Sequence, residues 1–175
     1  MRFFKNIFAS RMRFILIVLP VILMFLISPE IKAQEPPPRP VTVTVTGQNL
    51  SFGAFYHGPV GGTVTINSGG SRSATGDVIL LNLGYSYSTA LYQLVANPGT
   101  VISLLNGPDV SLPGSPGGSM SLHIGDSDLG PTFVITSVPP AFTLLNIGGT
   151  ITVSNPGSNP PGSYSGTFDI TFVQE

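Results

Sequence analysis

The feature that most restricts the fold is a strict two-residue alternation near the C-terminus, in residues 162–173. Its apolar positions are every second residue, Phe168, Ile170 and Phe172. Successive side chains of an extended strand point to opposite faces, so these three share one face while threonine and aspartate occupy the other. One buried and one wet face is typical of an antiparallel sheet that packs on a second sheet. The sequence therefore predicts a terminal strand around which shorter strands assemble.

Short strand-like segments recur through residues 41–175, and turns rich in glycine, proline or asparagine separate them about every ten to fifteen residues. No stretch of this region shows helical periodicity with capping residues. Uneven strand lengths and long Gly/Pro loops favour two stacked sheets over an up-and-down barrel. The predicted fold class is all-β, an antiparallel β-sandwich formed by one domain over residues 41–175.

The segment 41–46 reads Val-Thr-Val-Thr-Val-Thr and ends at Gly47. Its alternation places Val41, Val43 and Val45 on one face of a strand. Two interpretations fit this pattern. The segment is either the first strand of the domain's own sheet, or a strand that leaves its domain and completes the sheet of a neighbour.

Two further patterns make local predictions. The turn signal Asn97-Pro98-Gly99 predicts a hairpin between strands at 89–95 and 100–105, because proline fixes φ and glycine accepts a positive φ. The consecutive apolar residues 78–81 predict a central or covered strand, with a short buried helix as the alternative.

Residues 1–33 have the pattern of a signal peptide for export. A basic region precedes an apolar run from Phe14 to Ile27, and Ala33 offers a small residue for cleavage. A membrane anchor is the alternative, although the run is shorter than the roughly 20 residues that a bilayer needs. Residues 34–40 are rich in proline and predict a stiff polyproline II linker. The predicted location is the periplasm, the cell surface or the extracellular medium.

The charge of the chain divides near residue 33. The whole sequence has a formal charge of −1, but after residue 33 two arginines face seven acidic residues, which gives 2 − 7 = −5. No basic patch is left there to neutralise phosphates or to bind anionic lipid. We therefore expect no nucleic-acid partner and, once the leader is removed, no membrane partner.

Residues with metal-ligating or nucleophilic side chains form no known motif. The chain has no cysteine, which excludes disulfides, thiolate metal sites and a cysteine nucleophile. His57 and His123 lack metal-ligand spacing, and each is predicted on the surface or in a loop. Asp126 and Asp128 lack the twelve-residue calcium-loop pattern and predict a solvated turn.

Carboxylate pairs for glycoside hydrolysis are not indicated either. Asp77 and Asp109 are predicted in turns, and Asp169 on the wet face of the terminal strand. Residues 162–166 resemble a nucleophile elbow, but the central residue is Tyr164 and a strand follows where a helix should. The chain is therefore predicted to be no enzyme and to use no cofactor and no metal.

Three tyrosines suggest an alternative function. Tyr85, Tyr87 and the nearby Tyr92 could form an aromatic platform for a sugar ring. The absence of tryptophan weakens this interpretation, and tyrosine is also common in ordinary strands. The alternative to a structural protein is thus a monomeric, secreted carbohydrate-binding module.

Four phrases of the sequence resemble a known family. They are, in order, residues 50–53 (Leu-Ser-Phe-Gly), 61–66 (Gly-Gly-Thr-Val-Thr-Ile) with the later Arg72 and Gly76, 148–153 (Gly-Gly-Thr-Ile-Thr-Val) and 162–168 (Gly-Ser-Tyr-Ser-Gly-Thr-Phe). Together they resemble the bacterial domain-of-unknown-function family 4402 over roughly residues 41–173. That family is similar to spore coat protein U and to fimbrial-subunit-like domains.

The resemblance implies an immunoglobulin-like β-sandwich exported by a Gram-negative bacterium, and it implies no catalytic residues. At the final phrase, Gly162 and Gly166 would allow a sharp corner, and the Tyr164 ring would pack there while its hydroxyl bonds the backbone. In fimbrial relatives a neighbour's N-terminal strand fills a groove in the sheet, and here the donor would be residues 41–46. About ten strand-like segments suffice for a complete sandwich, so this chain could also fill the groove itself.

The predicted function is a non-catalytic structural or adhesive protein of a bacterial cell envelope, assembling as a fimbria-like subunit through residues 41–46. The expected partners are copies of itself or related envelope subunits, with a glycan as the partner in the alternative.

Overall fold

The computed structural model describes residues 39–175, which form twelve β-strands and no helix. The predicted leader and most of the linker lie outside the described residues. The strands are β1 Thr42–Val45, β2 Ser51–Phe52, β3 Ala54–Ile66, β4 Arg72–Leu81, β5 Tyr87–Ser88, β6 Ala90–Val95, β7 Val101–Asn106, β8 Val110–Pro113, β9 Ser119–Ser127, β10 Thr132–Val134, β11 Thr143–Val153 and β12 Ile170–Gln174. The predicted all-β class is confirmed.

The strands form three antiparallel sheets. The largest has seven strands, ordered β1-β6-β11-β3-β4, with β9 also paired to β11 and β8 paired to β9. The long strand β11 holds this sheet together, because its first half pairs with β6 and its second half pairs with both β3 and β9. A three-stranded sheet has the order β10-β7-β12, and β2 and β5 form a two-stranded ribbon.

The three-stranded sheet packs on the seven-stranded one, and a single apolar cluster joins them. Ile102 of β7 and Phe133 of β10 are buried together with Leu94, Leu145 and Ile151 of the large sheet. In the outer strand β12, the Phe172 ring lies 5.6 Å from the Tyr92 ring of β6, edge to face. The two layers therefore enclose one core, as expected of a β-sandwich.

The ribbon of β3 and β4 is sharply bent. Its pairing shifts register between His57 and Gly62, and Gly61 and Gly76 have φ angles of +75° and +69°. Arg72 at one end of β4 donates a 3.2 Å hydrogen bond to the carbonyl of Leu81 at the other end. A straight strand of this length would separate those ends by roughly 30 Å, far beyond the reach of a side chain. The bend thus brings both ends of the ribbon together.

At Asn97-Pro98-Gly99, the predicted turn is confirmed but the predicted pairing of the flanking strands is wrong. The turn exists, since the Thr100 amide donates to the Asn97 carbonyl at 3.1 Å and Gly99 has a φ of +87°. The strands on either side do not pair, because β6 belongs to the seven-stranded sheet and β7 to the three-stranded sheet. A local turn signal does not distinguish a hairpin from a crossing between two stacked sheets.

Two predicted segments also differ in extent. The terminal strand β12 begins only at Ile170, and residues 162–169 are irregular apart from one bridge of Tyr164 to Gly114. Residues 78–81 are strand and not helix, but β4 lies at the edge of the sheet and Ile79 is 58% exposed. In residues 78–81, consecutive apolar residues thus do not mean that both faces of the strand are buried, since the face that carries Ile79 is exposed to solvent.

Candidate assembly strand and aromatic surface

Strand β1 lies at one edge of the seven-stranded sheet. It pairs antiparallel with β6, with Thr42 opposite Val95 and Val45 opposite Tyr92. Within residues 39–175, β6 is the single strand that pairs with β1. The structure therefore places the segment 41–46 in the sheet of its own chain, as in the first interpretation.

The three valines of this segment have unequal burial. Val41 and Val43 are half-buried and pack against the core cluster. Val45 is 67% exposed, although alternation gives it the same face, because it lies beyond the packed cluster. Two valines thus anchor the strand.

Hydrogen bonds fix both ends of β1. At its start, the Val41 amide donates to Gln174 Oε1 of β12 at 2.9 Å. At its end, the amide and the hydroxyl of Thr46 both donate to the Leu91 carbonyl, at 3.2 and 2.8 Å. Gln174 therefore ties the first strand to the last one across the two layers.

The segment 162–166 docks on the loop between β8 and β9. The Tyr164 hydroxyl donates to the Pro160 carbonyl at 2.7 Å, and the Ser115 amide donates to the Ser163 carbonyl at 2.9 Å. Gly162 and Gly166 do not have a positive φ. Their lack of a side chain is needed instead for close packing, since an added Cβ would meet Pro116 at Gly162 and Leu112 at Gly166. Phe168, Ile170 and Phe172 follow, each half-buried against the core cluster.

The aromatic surface consists of Tyr85 and Tyr87 with Arg72. Tyr85 is 71% exposed and Tyr87 is 47% exposed. The Arg72 guanidinium carbon lies 4.5 Å from the centre of the Tyr87 ring, a cation–π distance. The same guanidinium donates to the carbonyls of Phe52 and Ala54 at 3.0 and 3.2 Å, which fixes its orientation.

Tyr92 does not belong to this surface. It is half-buried, packs on Phe172 in the core, and burial raises the pKa of its hydroxyl. Sequence reasoning missed another exposed aromatic residue, Tyr56, which lies opposite the exposed Ile79 in the bent ribbon.

The prediction for His57 was wrong. Its side chain is 8% exposed, and Nε2 lies 3.0 Å from the carbonyl oxygen of Asn159, so Nε2 carries the proton. Nδ1 is buried and has no hydrogen-bond partner among the described residues. The signal that could have shown this is the alternation of β3, in which His57 falls on the same face as Phe55.

His123 lies on the solvent face of β9, as predicted. Its Nδ1 forms a 2.7 Å contact with Asp109 Oδ1, and both side chains are well exposed. Thr150 lies opposite His123 in the register of β9 and β11, but its hydroxyl bonds Thr65 at 2.9 Å instead. Within residues 39–175, this imidazole contacts a carboxylate, and no hydroxyl is bonded to it.

Two of the remaining aspartates, Asp77 and Asp128, support local structure. Asp77 lies within β4 and not in a turn, and its carboxylate accepts the Val60 amide at 2.8 Å. Asp128 accepts both the backbone amide and the side-chain amide of Asn146, at 2.9 and 2.8 Å. Asp128 is thus occupied in joining the β9–β10 turn to β11, and Asp126 is exposed.

Residues 39–175 contain no cluster of three or more histidine, aspartate or glutamate side chains that could hold a metal ion. In the same part of the chain, no helix is long and apolar enough to span a membrane.

Fold and surface together define an antiparallel all-β sandwich domain. A family model described as "Domain of unknown function (DUF4402)" matches residues 41–173, and the chain belongs to that family. The match runs from β1 to Val173, the penultimate residue of β12. Neither a curated protein nor a solved structure matches the chain significantly.

Proposed function

We propose that this protein is an exported, non-catalytic structural or adhesive domain of a bacterial cell envelope, and that its copies assemble by exchanging strand β1. The observation that carries the proposal is the position of β1. It is a four-residue strand at a sheet edge, it follows a proline-rich segment, and it pairs with one neighbour. An edge strand of this kind can add to the sheet of another copy through the same backbone hydrogen bonds.

Exchange would preserve the contacts of β1. The same valines would pack on the same core, and the same Gln174 would accept the Val41 amide, whichever copy supplies the strand. In a single chain, the position beside β6 is already occupied by that chain's own β1. Assembly would therefore replace β1 by the identical strand of another copy and would not fill an empty groove. Such domain swapping is a low-cost route to oligomers.

The non-catalytic part of the proposal is supported by the polar groups of the sandwich. His57 donates a hydrogen bond to a backbone carbonyl, and His123 contacts Asp109 on a solvent-exposed face. The similarity expected between this family and fimbrial-subunit-like domains is the argument for an envelope role. Export itself is tested by N-terminal sequencing of the protein from its own cells, where a mature chain beginning at Gln34 is expected and an intact residue 1 would contradict export with cleavage.

A disulfide trap tests the exchange, because the chain has no cysteine of its own. Thr44 and Gln93 lie opposite each other in β1 and β6, so Thr44→Cys with Gln93→Cys should form a disulfide across this pair. We expect assemblies isolated from the envelope to show disulfides between chains on a non-reducing gel. Assemblies in which every such disulfide lies within a single chain would refute exchange of β1.

A second pair serves as the control. Thr65 and Thr150 lie opposite each other in β3 and β11, which are both interior to the chain's own sheet. Thr65→Cys with Thr150→Cys should therefore give disulfides within one chain in every sample. Cross-links between chains at this pair would show unspecific oxidation.

The aromatic surface favours a second candidate, a monomeric carbohydrate-binding module. Tyr85 and Tyr87 are exposed, and Arg72 covers one side of the Tyr87 ring and holds it in place. A glycan array with the wild type and with the double variant Tyr85→Ala, Tyr87→Ala tests this candidate. Binding that the double variant loses would support it, and no binding by the wild type would exclude it.

A further inference from the structure

The outer face of the seven-stranded sheet carries two parallel rows of polar side chains, mostly hydroxyls. The first row crosses five strands in the order β4, β3, β11, β9 and β8, the second crosses the first four of these, and the pairing registers align them. The first row is Thr75, Thr63, Thr152, Ser121 and Ser111. The second row is Ser73, Thr65, Thr150 and His123, and it ends at Asp109, which contacts His123. We call these two rows the hydroxyl face.

The residues between the two rows point the other way. Ala74, Val64, Ile151, Leu122 and Val110 occupy the intervening level and pack into the core. The backbone that carries the two rows is therefore held in place by the packed core beneath it. Neighbouring strands are about 4.8 Å apart, and residues two apart in a strand are about 6.7 Å apart, so the face is a regular grid of hydrogen-bonding groups.

Hydrogen bonds within the face leave it able to bind more. The hydroxyls of Thr63 and Thr75 lie 2.7 Å apart, and those of Thr65 and Thr150 lie 2.9 Å apart. Each hydroxyl has one donor and two acceptor positions, so a bonded pair still offers one donor and further acceptors to a ligand. The pairs also hold the hydroxyls in fixed positions, which lowers the entropy cost of binding.

The charge of the face selects the class of ligand. Residues 39–175 carry two arginines and six acidic residues, 2 − 6 = −4, yet the hydroxyl face has a single carboxylate, which is paired with His123. Because the hydroxyl face has no arginine or lysine and one carboxylate, it is complementary to a neutral, hydroxyl-rich ligand and not to a polyanion. The strand spacing along a row is close to the length of one sugar unit in an extended glycan chain.

We propose that the hydroxyl face binds one extended chain of a neutral polysaccharide, which lies across the strands from β4 to β8. This inference rests on the adhesive role proposed above and names its ligand class. The site is separate from the aromatic surface, since it shares no residue with Tyr85, Tyr87 or Arg72. It requires neither exchange of β1 nor assembly.

Affinity electrophoresis of the mature protein tests the proposal, with hydroxyethylcellulose and soluble starch as neutral probes and alginate as a charged one. We expect retardation by at least one neutral polysaccharide and none by alginate. The double variant Thr65→Val, Thr150→Val keeps the shape of both side chains and removes their hydroxyls. It should weaken retardation at least about fivefold, because two hydrogen-bonding groups are lost.

A matched control exists on the opposite sheet, where the hydroxyls of Ser103 and Thr132 lie 3.1 Å apart in β7 and β10. The variant Ser103→Ala, Thr132→Val should bind as the wild type does. No retardation by either neutral probe, or equal retardation of the two double variants, would overturn the hydroxyl face as a site. Loss of binding in Tyr85→Ala, Tyr87→Ala alone would place the glycan on the aromatic surface instead. The disulfide trap at β1 reports on assembly independently of all these outcomes.

Discussion

At the scale of single residues, buried polar groups hold the irregular parts of the chain. Asn159 is the main example, because it is 1% exposed and lies in a segment without strand structure. Its Oδ1 accepts the Ser154 amide, its Nδ2 donates to the Ser119 carbonyl at 2.6 Å, and its own carbonyl meets His57. The Asn159 side chain thus connects the end of β11 with the start of β9, and its backbone carbonyl adds the contact to β3.

Replacing Asn159 by alanine should lower the free energy of unfolding by about 3 kcal/mol, because buried partners would lose their hydrogen bonds. Guanidinium unfolding monitored by circular dichroism measures the change. Asn82→Ala is the control, since Asn82 is exposed, and its effect should stay within about 0.5 kcal/mol. Similar effects at both positions would show that Asn159 is not the connecting residue inferred from its contacts.

The pKa of Tyr92 predicts a dependence of stability on alkaline pH. Burial raises the pKa of its hydroxyl, so the folded protein keeps this proton to a higher pH than the unfolded chain does. Below the unfolded pKa of about 10 the group costs nothing, and above it the free energy of unfolding falls as pH rises.

Tyr92→Phe keeps the ring against Phe172 and removes the titrating hydroxyl. Compared with the wild type, this variant should lose less stability between about pH 8 and about pH 11. Urea unfolding of both proteins at the two pH values measures the difference. Equal losses would show that Tyr92 does not contribute to the alkaline dependence.

At the scale of elements, strand β12 shows how alternation sets burial. Ile170, Phe172 and Gln174 are half-buried, whereas Thr171 and Val173 are exposed. Phe172→Ala should cost about 3 kcal/mol, because the ring leaves both the core cluster and its contact with Tyr92. Thr171→Ala should cost less than half as much, and thermal unfolding compares the two variants. Comparable costs would mean that the two faces of β12 are reversed.

The inward face of a strand was predicted best where one side of the strand packs on the core and the other faces solvent. The alternation at 168–173 was enough to assign the inward side chains, since period two follows from backbone geometry alone. At 41–46 it assigned Val41 and Val43 correctly but did not show that Val45 is exposed. Strand partners were not predictable in the same way. The turn at Asn97-Pro98-Gly99 has hairpin chemistry, but whether β6 and β7 pair or separate depends on the β11 and β12 strands that each of them meets.

At the scale of the whole molecule, one cluster of buried side chains spans both layers. We therefore expect residues 39–175 to unfold in one cooperative step. Far-ultraviolet circular dichroism reports the strands, and tyrosine fluorescence reports Tyr92 and Tyr164 among others. The two signals should give the same midpoint in guanidinium. Separate midpoints would show that one layer unfolds without the other.

The sequence alone determined the fold class, the inward faces of the strands and the family phrases, because alternation, β-branched residues and turn residues act locally. The tertiary structure decided that His57 is buried, that β1 lies in the sheet of its own chain, and that five strands align their hydroxyls into one face. These features depend on register and on contacts between residues far apart in the chain, as when β11 places Thr150 between Thr65 and His123. No local pattern fixes such alignments, since they arise from the packing of two sheets on one core.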